Sequence, residues 1–238
     1  MKNKISIGIS RLFSIRDSIE LNDNQESYWF QYFVGFMASL AMLNCGVQLT
    51  WFGPAVIILQ DEELSPIDVV TNTEASWIFS FLQVGALPGS LFGSYLANKF
   101  GRKNTLIFTI IPTGLSHLLI IFVENVYMLY VARIFAGLSV GITMVALPTY
   151  LTEVSSPKIR GILGTFTLIG SASSWILQFI IQPIMTLQLN SIIIFSISFV
   201  QCCVALYFLP ETPHYYIMKG KVELAKKSLQ KLRQRESL

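Results

Sequence analysis

The sequence has 238 residues, of which 53% are hydrophobic and only 13% are charged. Soluble domains carry about 25% charged residues, so the composition excludes an ordinary soluble protein and predicts an all-α membrane protein. The net charge is +3, and the basic residues that produce it lie mainly in particular connections between apolar runs. This distribution does not indicate a nucleic-acid partner. The 3 cysteines lie in apolar runs without paired spacing, so neither a disulfide framework nor a metal site is expected.

The chain is predicted to contain a tail, a six-helix bundle and a final polar segment. Residues 1–28 lack the apolar core of a signal peptide, so we expect a cytosolic tail there. Six apolar runs of spanning length form the bundle 29–209, and we expect segment 210–238 to be cytosolic. Within that segment, Lys221–Leu232 predicts an amphipathic helix. The predicted spans, numbered 1 to 6, are Trp29–Leu59, Trp77–Ala97, Thr105–Val123, Tyr127–Leu147, Ile162–Ile184 and Ser191–Leu209.

Basic residues fall in alternate connections. Lys and Arg precede span 1, lie between spans 2 and 3 and between spans 4 and 5, and follow span 6. The other connections carry neither Lys nor Arg, and those between spans 1 and 2 and between spans 3 and 4 carry acids. The positive-inside rule therefore predicts six spans with both termini in the cytosol. Arg133 in span 4 is the exception, and it either extends to the outer headgroups or pairs with a partner at an outer gate.

Several short motifs lie at the ends of the predicted spans. The connection between spans 2 and 3 reads N-K-F-G-R-K, and Gly101 allows a sharp turn there. Span 4 contains R-x-x-x-G-x-x-x-G from Arg133, followed by P-x-Y-x-x-E from Pro148 and by R-G at Arg160. Span 6 leads into P-E-T-P-H from Pro210. A carboxylate and a guanidinium at helix ends form a charge-assisted pair that can open and close.

In their order and spacing, these motifs resemble those of the sugar porters of the major facilitator superfamily. The resemblance covers residues from about 30 to 235, with Asn98 in place of the commoner Asp, Thr212 in place of Ser and His214 in place of Arg. In span 1, G-x-x-x-x-W-x-x-P from Gly46 is similar to the insect trehalose-transporter branch. The resemblance implies the N-terminal six-helix half of the major facilitator fold, in the plasma membrane.

The resemblance also implies a charge network at a cytosolic gate. In this family, such pairs hold the outward-open state and separate when the carrier faces inward. The residues of this sequence that match the network are Arg102, Lys103, Glu153, Arg160 and Glu211.

A neutral sugar requires amide and hydroxyl groups together with an aromatic platform. The candidate lining residues are Gln48, Gln83, Leu168, Ser171 and Trp175. Leu168 stands where glucose carriers have Gln, and Gln48 stands where proton-coupled porters have Asp, so the resemblance favours passive uniport. Ser171 and Trp175 follow Leu168 at helical spacing, although a lipid-facing or packing role for Trp175 is an equal alternative.

The predicted function is facilitative transport of a hexose or trehalose by alternating access, with a neutral sugar and membrane lipid as partners and no cofactor. We expect no enzyme, because the sequence shows neither a nucleophile with a base nor an intramembrane acid cluster. The family carries a second six-helix half, so we expect these 238 residues alone not to transport. They would then join a C-terminal half or another copy, or act as a transport-inactive half that modulates a full-length carrier.

Overall fold

The computed structural model describes residues 28–233; most of the predicted tail and residues 234–238 lie outside the described residues. Within that range the regular elements are all helical, and six of them are long and apolar enough to span a membrane. These six spans confirm the predicted all-α membrane fold. Their bounds are Trp29–Leu59, Asn72–Phe100, Arg102–Ile121, Val126–Val154, Arg160–Ile184 and Leu187–Phe208.

Three of the spans are interrupted, and two shorter helices follow span 6. Span 1 breaks at Trp51, beside Pro54, because a proline has no N–H to donate to the carbonyl one turn earlier. The separate helices are Trp29–Thr50 and Phe52–Leu59 in span 1, and Arg102–Phe108 and Ile110–Ile121 in span 3. Span 5 consists of Arg160–Ile181 and a 3₁₀ turn at Gln182–Ile184, and after span 6 come Pro213–Met218 and Val222–Arg233.

Two predicted boundaries were wrong, and the second of them affects the site. Span 2 begins earlier than predicted, because Thr71 and Glu74 form a capping box at its start. Oγ1 of Thr71 accepts a hydrogen bond from the backbone N–H of Glu74 at 3.3 Å.

Span 4 continues through Pro148 as far as Val154, beyond the predicted end at Leu147. Neighbouring helices and hydroxyl groups allow a spanning helix to tolerate a proline. The predicted loop is therefore shorter, and Glu153 lies on a helix.

The connections between the six spans lie alternately at two ends of the bundle. One end, here called the basic end, contains Gly101, residues 155–159 and the segment that follows Phe208. The opposite end, here called the acidic end, contains residues 60–71, which include Asp and Glu but neither Lys nor Arg. The two ends therefore differ in charge.

Spans 2 and 4 approach each other more closely than any side chain would allow. A Cβ atom added to Gly85 would lie 2.1 Å from the carbonyl oxygen of Ile134, and one added to Gly137 would lie 2.0 Å from that of Leu82. Gly89, Gly93 and Gly141 face the opposite backbone in the same way. Glycines of this kind stabilise a membrane helix pair by allowing backbone-to-backbone packing.

The buried apolar residues form one cluster near each end of the bundle. The cluster at the basic end includes Tyr150 and Leu209, and the cluster at the acidic end includes Trp51 and Leu59, all at most 3% exposed. Span 5 has little packing of this kind, because only 11% of its most apolar window is buried. It therefore presents most of its surface outside the six-helix unit.

We expect Gly137→Ala to destabilise the bundle, because the new methyl group would meet backbone atoms of span 2 rather than a movable side chain. Overpacking of this kind costs about 1–3 kcal/mol. The matched control is Gly164→Ala in span 5, where no atom lies within 4 Å of the added Cβ. Thermal unfolding of both variants in detergent tests the prediction, and equal midpoints for the two variants would contradict it.

Candidate functional site

At the basic end, Arg102 and Glu153 form a largely buried ion pair. Arg102 is the first residue of span 3, and its Nη2 lies 2.9 Å from Oε1 of Glu153 near the end of span 4. Nε of Arg102 donates to the same oxygen at 3.1 Å, and Nη1 donates to the carbonyl of Ala97 at 3.0 Å. The two side chains are only 5% and 13% exposed. Solvent therefore screens this pair less than it screens a surface pair.

The segment after span 6 reaches the same carboxylate. The hydroxyl of Thr212 donates to Oε2 of Glu153 at 2.6 Å and accepts from the backbone N–H of Tyr215 at 3.3 Å, as the N-cap of the next helix. The hydroxyl of Tyr150, one turn before Glu153, donates to the carbonyl of Pro210 at 2.9 Å. Span 3, span 4 and the segment after span 6 thus meet at Glu153.

Glu211 binds backbone N–H groups at the start of span 3. Its Oε1 accepts from the N–H groups of Arg102 at 3.0 Å and Lys103 at 3.2 Å, and from its neighbour Thr212 at 3.0 Å. A carboxylate in this position complements the partial positive charge of a helix N-terminus. We call Arg102, Glu153, Glu211 and Thr212 the basic-end junction.

Gly101 permits this arrangement in two ways. Its φ of +102° is a conformation that residues with a side chain rarely adopt. A Cβ on Gly101 would also lie 2.2 Å from Oε2 of Glu211. The predicted sharp turn is thus a single glycine between two helices, and the carboxylate lies directly against it.

Burial of the Glu211 carboxyl raises its pKa above the ordinary value of 4.5. The hydrogen bonds from the three backbone N–H groups and the charge of Arg102 act in the opposite direction and offset only part of the effect. The other oxygen, Oε2, is buried without a hydrogen-bond partner. The carboxyl group therefore takes up a proton more readily than an exposed glutamate does.

The structure does not bring Lys103 and Arg160 into ion pairs with the carboxylates of this cluster. Nζ of Lys103 donates to the carbonyl of Leu206 at 2.8 Å, and Nε of Arg160 lies 3.4 Å from Oγ of Ser155. The charge network of all five residues therefore stays a prediction, because the structure shows direct pairing only for part of it. The charged contacts of the junction concentrate on Arg102, Glu153 and Glu211.

Sequence reasoning missed two residues that connect this end of the bundle. Thr212 was noted only as a substitution within the motif, although a Thr directly before Pro213 is a typical N-cap signal and identifies it as a helix start. Gln31 was not considered, yet its Oε1 accepts from the N–H of Ser156 at 2.8 Å and links span 1 to the connection between spans 4 and 5. No sequence pattern marks Gln31.

Three of the candidate lining residues share one face of span 5. Leu168 is 68% exposed and Trp175 is 53% exposed, with the half-buried Ser171 between them. Gln83 of span 2 is also exposed. These four side chains are thus accessible to a ligand or a further helix outside the six-helix unit.

Gln48 and Arg133 lie inside the six-helix unit instead. Gln48 is 2% exposed, and its side-chain Nε2 lies 2.8 Å from Nε2 of His117. Arg133 is 1% exposed, and its Nη1 donates to the backbone carbonyl of Gln48 at 3.1 Å. The guanidinium carbon of Arg133 lies 5.1 Å from the centre of the Trp51 ring. Arg133 therefore does not extend to the surface of the bundle.

The side chains of these sites contact one another through hydrogen bonds and charge. Among residues 28–233, no group of three or more His, Cys, Asp or Glu is placed to hold a metal ion, and Cys45, Cys202 and Cys203 are free thiols. The junction provides hydrogen bonds and one ion pair that depend on the relative positions of several helices. An arrangement of this kind can stabilise one conformation of the bundle over another.

Comparison with known proteins places the chain among transport proteins. The profile of one family, described as "Sugar (and other) transporter", matches residues 24–238. A facilitated trehalose transporter of Drosophila grimshawi is 32% identical over 205 residues, which make up 86% of this chain and 22% of that protein. One of Apis mellifera ligustica is 30% identical over 220 residues, 90% of this chain and 42% of that protein. The chain thus spans less than half the length of these relatives.

Solved structures of the xylose transporter XylE share the fold. The proton:xylose symporter XylE bound to 6-bromo-6-deoxy-D-glucose superposes with a TM-score of 0.67 at 21% identity, over 85% of this chain and 50% of that chain. A partially occluded inward-open form of XylE from E. coli gives a TM-score of 0.66 at 22% identity, over 87% of this chain and 55% of that chain. The six spans therefore have the major facilitator fold.

We expect Thr212→Val to destabilise the basic-end junction. The substitution leaves Oε2 of Glu153 without its hydrogen bond and removes the N-cap of the following helix, for a cost of about 2 kcal/mol. The control is Thr165→Val, since that exposed hydroxyl donates to the carbonyl of Ile162 in its own helix. Chemical or thermal unfolding in detergent measures both, and a loss no larger than the control's would count against the junction.

Glu211 should make the stability of the protein depend on pH. Because its pKa is higher in the folded than in the unfolded state, its contribution is fully present below 4.5 and is lost as the pH rises through the folded pKa. We expect wild type to lose stability relative to Glu211→Gln as the pH is raised from below 4.5 to neutrality. The control is Glu223→Gln, at an exposed carboxylate. A difference between wild type and Glu211→Gln that stays flat, or has the opposite sign, would refute this assignment.

Proposed function

We propose a sugar-transport function for this chain, which belongs to the sugar (and other) transporter family. Its six spans act as one half of a carrier that moves a hexose or trehalose across the membrane by alternating access. The curated relatives carry the name "Facilitated trehalose transporter", which supports a small neutral sugar as the cargo. The proposal concerns transport and not catalysis.

The observation that carries this proposal is the basic-end junction. Arg102 and Glu153 form an ion pair at the ends of two different spans, and Thr212 joins them from the segment after span 6. Relative movement of these elements breaks several charged contacts together. The junction therefore has two discrete states, one formed and one open. We propose that the junction is intact in the outward-open state and opens when the sugar is released inward.

The exposed face of span 5 supplies the proposed sugar contacts. Trp175 offers an aromatic surface for a sugar ring, and Ser171 offers a hydroxyl one helical turn away. Leu168 adds an apolar contact on the same face, and Gln83 of span 2 adds an amide. A second set of helices that covers this face would enclose the sugar between two halves.

Transport is proposed to be passive. Span 1, Trp29–Leu59, contains no carboxylate that would carry a proton through the bundle. At the position where proton-coupled porters have Asp, it has Gln48. The side-chain amide of Gln48 is hydrogen-bonded to His117 inside the bundle. We therefore assign uniport rather than proton symport, and we assign Gln48 no direct sugar contact.

The charge difference between the two ends supports an orientation. The basic end contains Lys99, Arg102 and Lys103 around the first of its connections, whereas residues 60–71 at the other end are acidic. By the positive-inside rule, we propose that the basic end and both termini lie in the cytosol, and that the membrane is the plasma membrane.

Uptake of labelled trehalose and glucose tests the proposed function. Residues 1–238 are expressed in cells that lack hexose carriers, alone and together with the part of the Apis mellifera relative that follows the matched segment. We expect saturable uptake from the pair that persists in the presence of a protonophore, and its loss on Glu153→Gln. Lys99→Gln, an exposed cation at the same end, is the matched control.

Two results would contradict the proposal. Absence of uptake when both polypeptides reach the membrane would exclude the carrier role. Uptake that the protonophore abolishes would exclude passive transport while leaving the carrier role intact.

A further inference from the structure

Arg133 places a positive charge deep inside the bundle. It lies about two turns into span 4, which begins at Val126, so it is roughly 10 Å from the start of that helix. Its side chain is among the largest that are fully buried. A charge at such a depth is costly unless an opposite charge or a full set of hydrogen bonds compensates it.

The groups that contact Arg133 in the structure are uncharged. Nη1 donates to the carbonyl of Gln48, and the guanidinium lies against the ring of Trp51. The ion pair between Arg102 and Glu153 lies at the basic end, whereas Arg133 lies near the opposite end of span 4. The acidic residues of the six spans lie at span ends, as Glu74 and Glu153 do, and not at the depth of Arg133.

The buried hydrogen-bonding atoms around Arg133 lack acceptors. Nε and Nη2 of Arg133 have no partner, and neither does Nε1 of Trp51 or Nδ1 of His117. When the amide of Gln48 donates to Nε2 of His117, the imidazole proton resides on Nδ1, which makes that atom a donor as well. Arg133, Trp51 and His117 are thus linked through Gln48 into one cluster with unpaired donors and a net positive charge.

This chemistry selects a small anion. Buried donors without partners are rare in native proteins and indicate a group that accepts hydrogen bonds. Water would accept hydrogen bonds but would leave the charge of Arg133 uncompensated, whereas an anion does both. We propose that the donor cluster around Arg133 binds a monatomic anion of the size of chloride inside the six-helix bundle. The proposal does not depend on the transport function.

The dependence of thermal stability on chloride tests this site. Purified residues 1–238 in detergent are unfolded in sodium chloride and in sodium gluconate at equal sodium concentration, because gluconate is too large for a closely packed interior. We expect the midpoint to rise with the logarithm of the chloride concentration above saturation, as ligand linkage requires. The rise should be absent in Arg133→Gln and unchanged in Lys99→Gln, the control for a surface cation.

A second variant keeps the test decisive if Arg133→Gln does not fold. Arg133→Lys retains the positive charge but loses the planar set of donors, so its half-saturating chloride concentration should increase about tenfold. Bromide soaked into crystals of the wild-type protein should give an anomalous peak beside Arg133. Equal unfolding midpoints in chloride and gluconate would overturn the proposal, because the cluster would then bind no chloride. A chloride effect that survives in Arg133→Gln would overturn it as well.

Discussion

The buried contact between Arg102 and Glu153 is the interaction on which the basic end of this bundle depends. It joins the start of span 3 to the end of span 4, and Thr212 extends it to the segment after span 6. A buried ion pair is weak evidence of added stability, because desolvation opposes the Coulombic attraction. Its value lies in position: several helices must be in one arrangement for all of its hydrogen bonds to form together.

The remainder of the fold combines a closely packed helix pair with a helix that has an exposed face. Spans 2 and 4 are fixed by glycines, such as Gly85 and Gly137, that allow their backbones to touch. Span 5 instead exposes Leu168 and Trp175. A tightly packed helix pair next to an open face is what the proposed carrier function requires of one half.

Sequence patterns predicted the six spans and the group of charges at one end, because apolar length and the placement of Lys and Arg are direct consequences of the bilayer. They did not predict which atoms pair. Several cations and carboxylates lie within reach of one another, and extension of span 4 through Pro148 determined that Glu153 meets Arg102. Likewise, no periodicity revealed that Gln48 turns inward to His117, since that choice depends on neighbouring helices.

A double-mutant cycle between Arg102 and Glu153 tests the central claim most directly. The free energy of unfolding is measured in detergent for wild type, Arg102→Gln, Glu153→Gln and the double variant. The geometry predicts a coupling energy of about 1–3 kcal/mol, because each single substitution leaves the other group buried without its partner. Additive effects of the two substitutions would show that the pair does not hold the junction together.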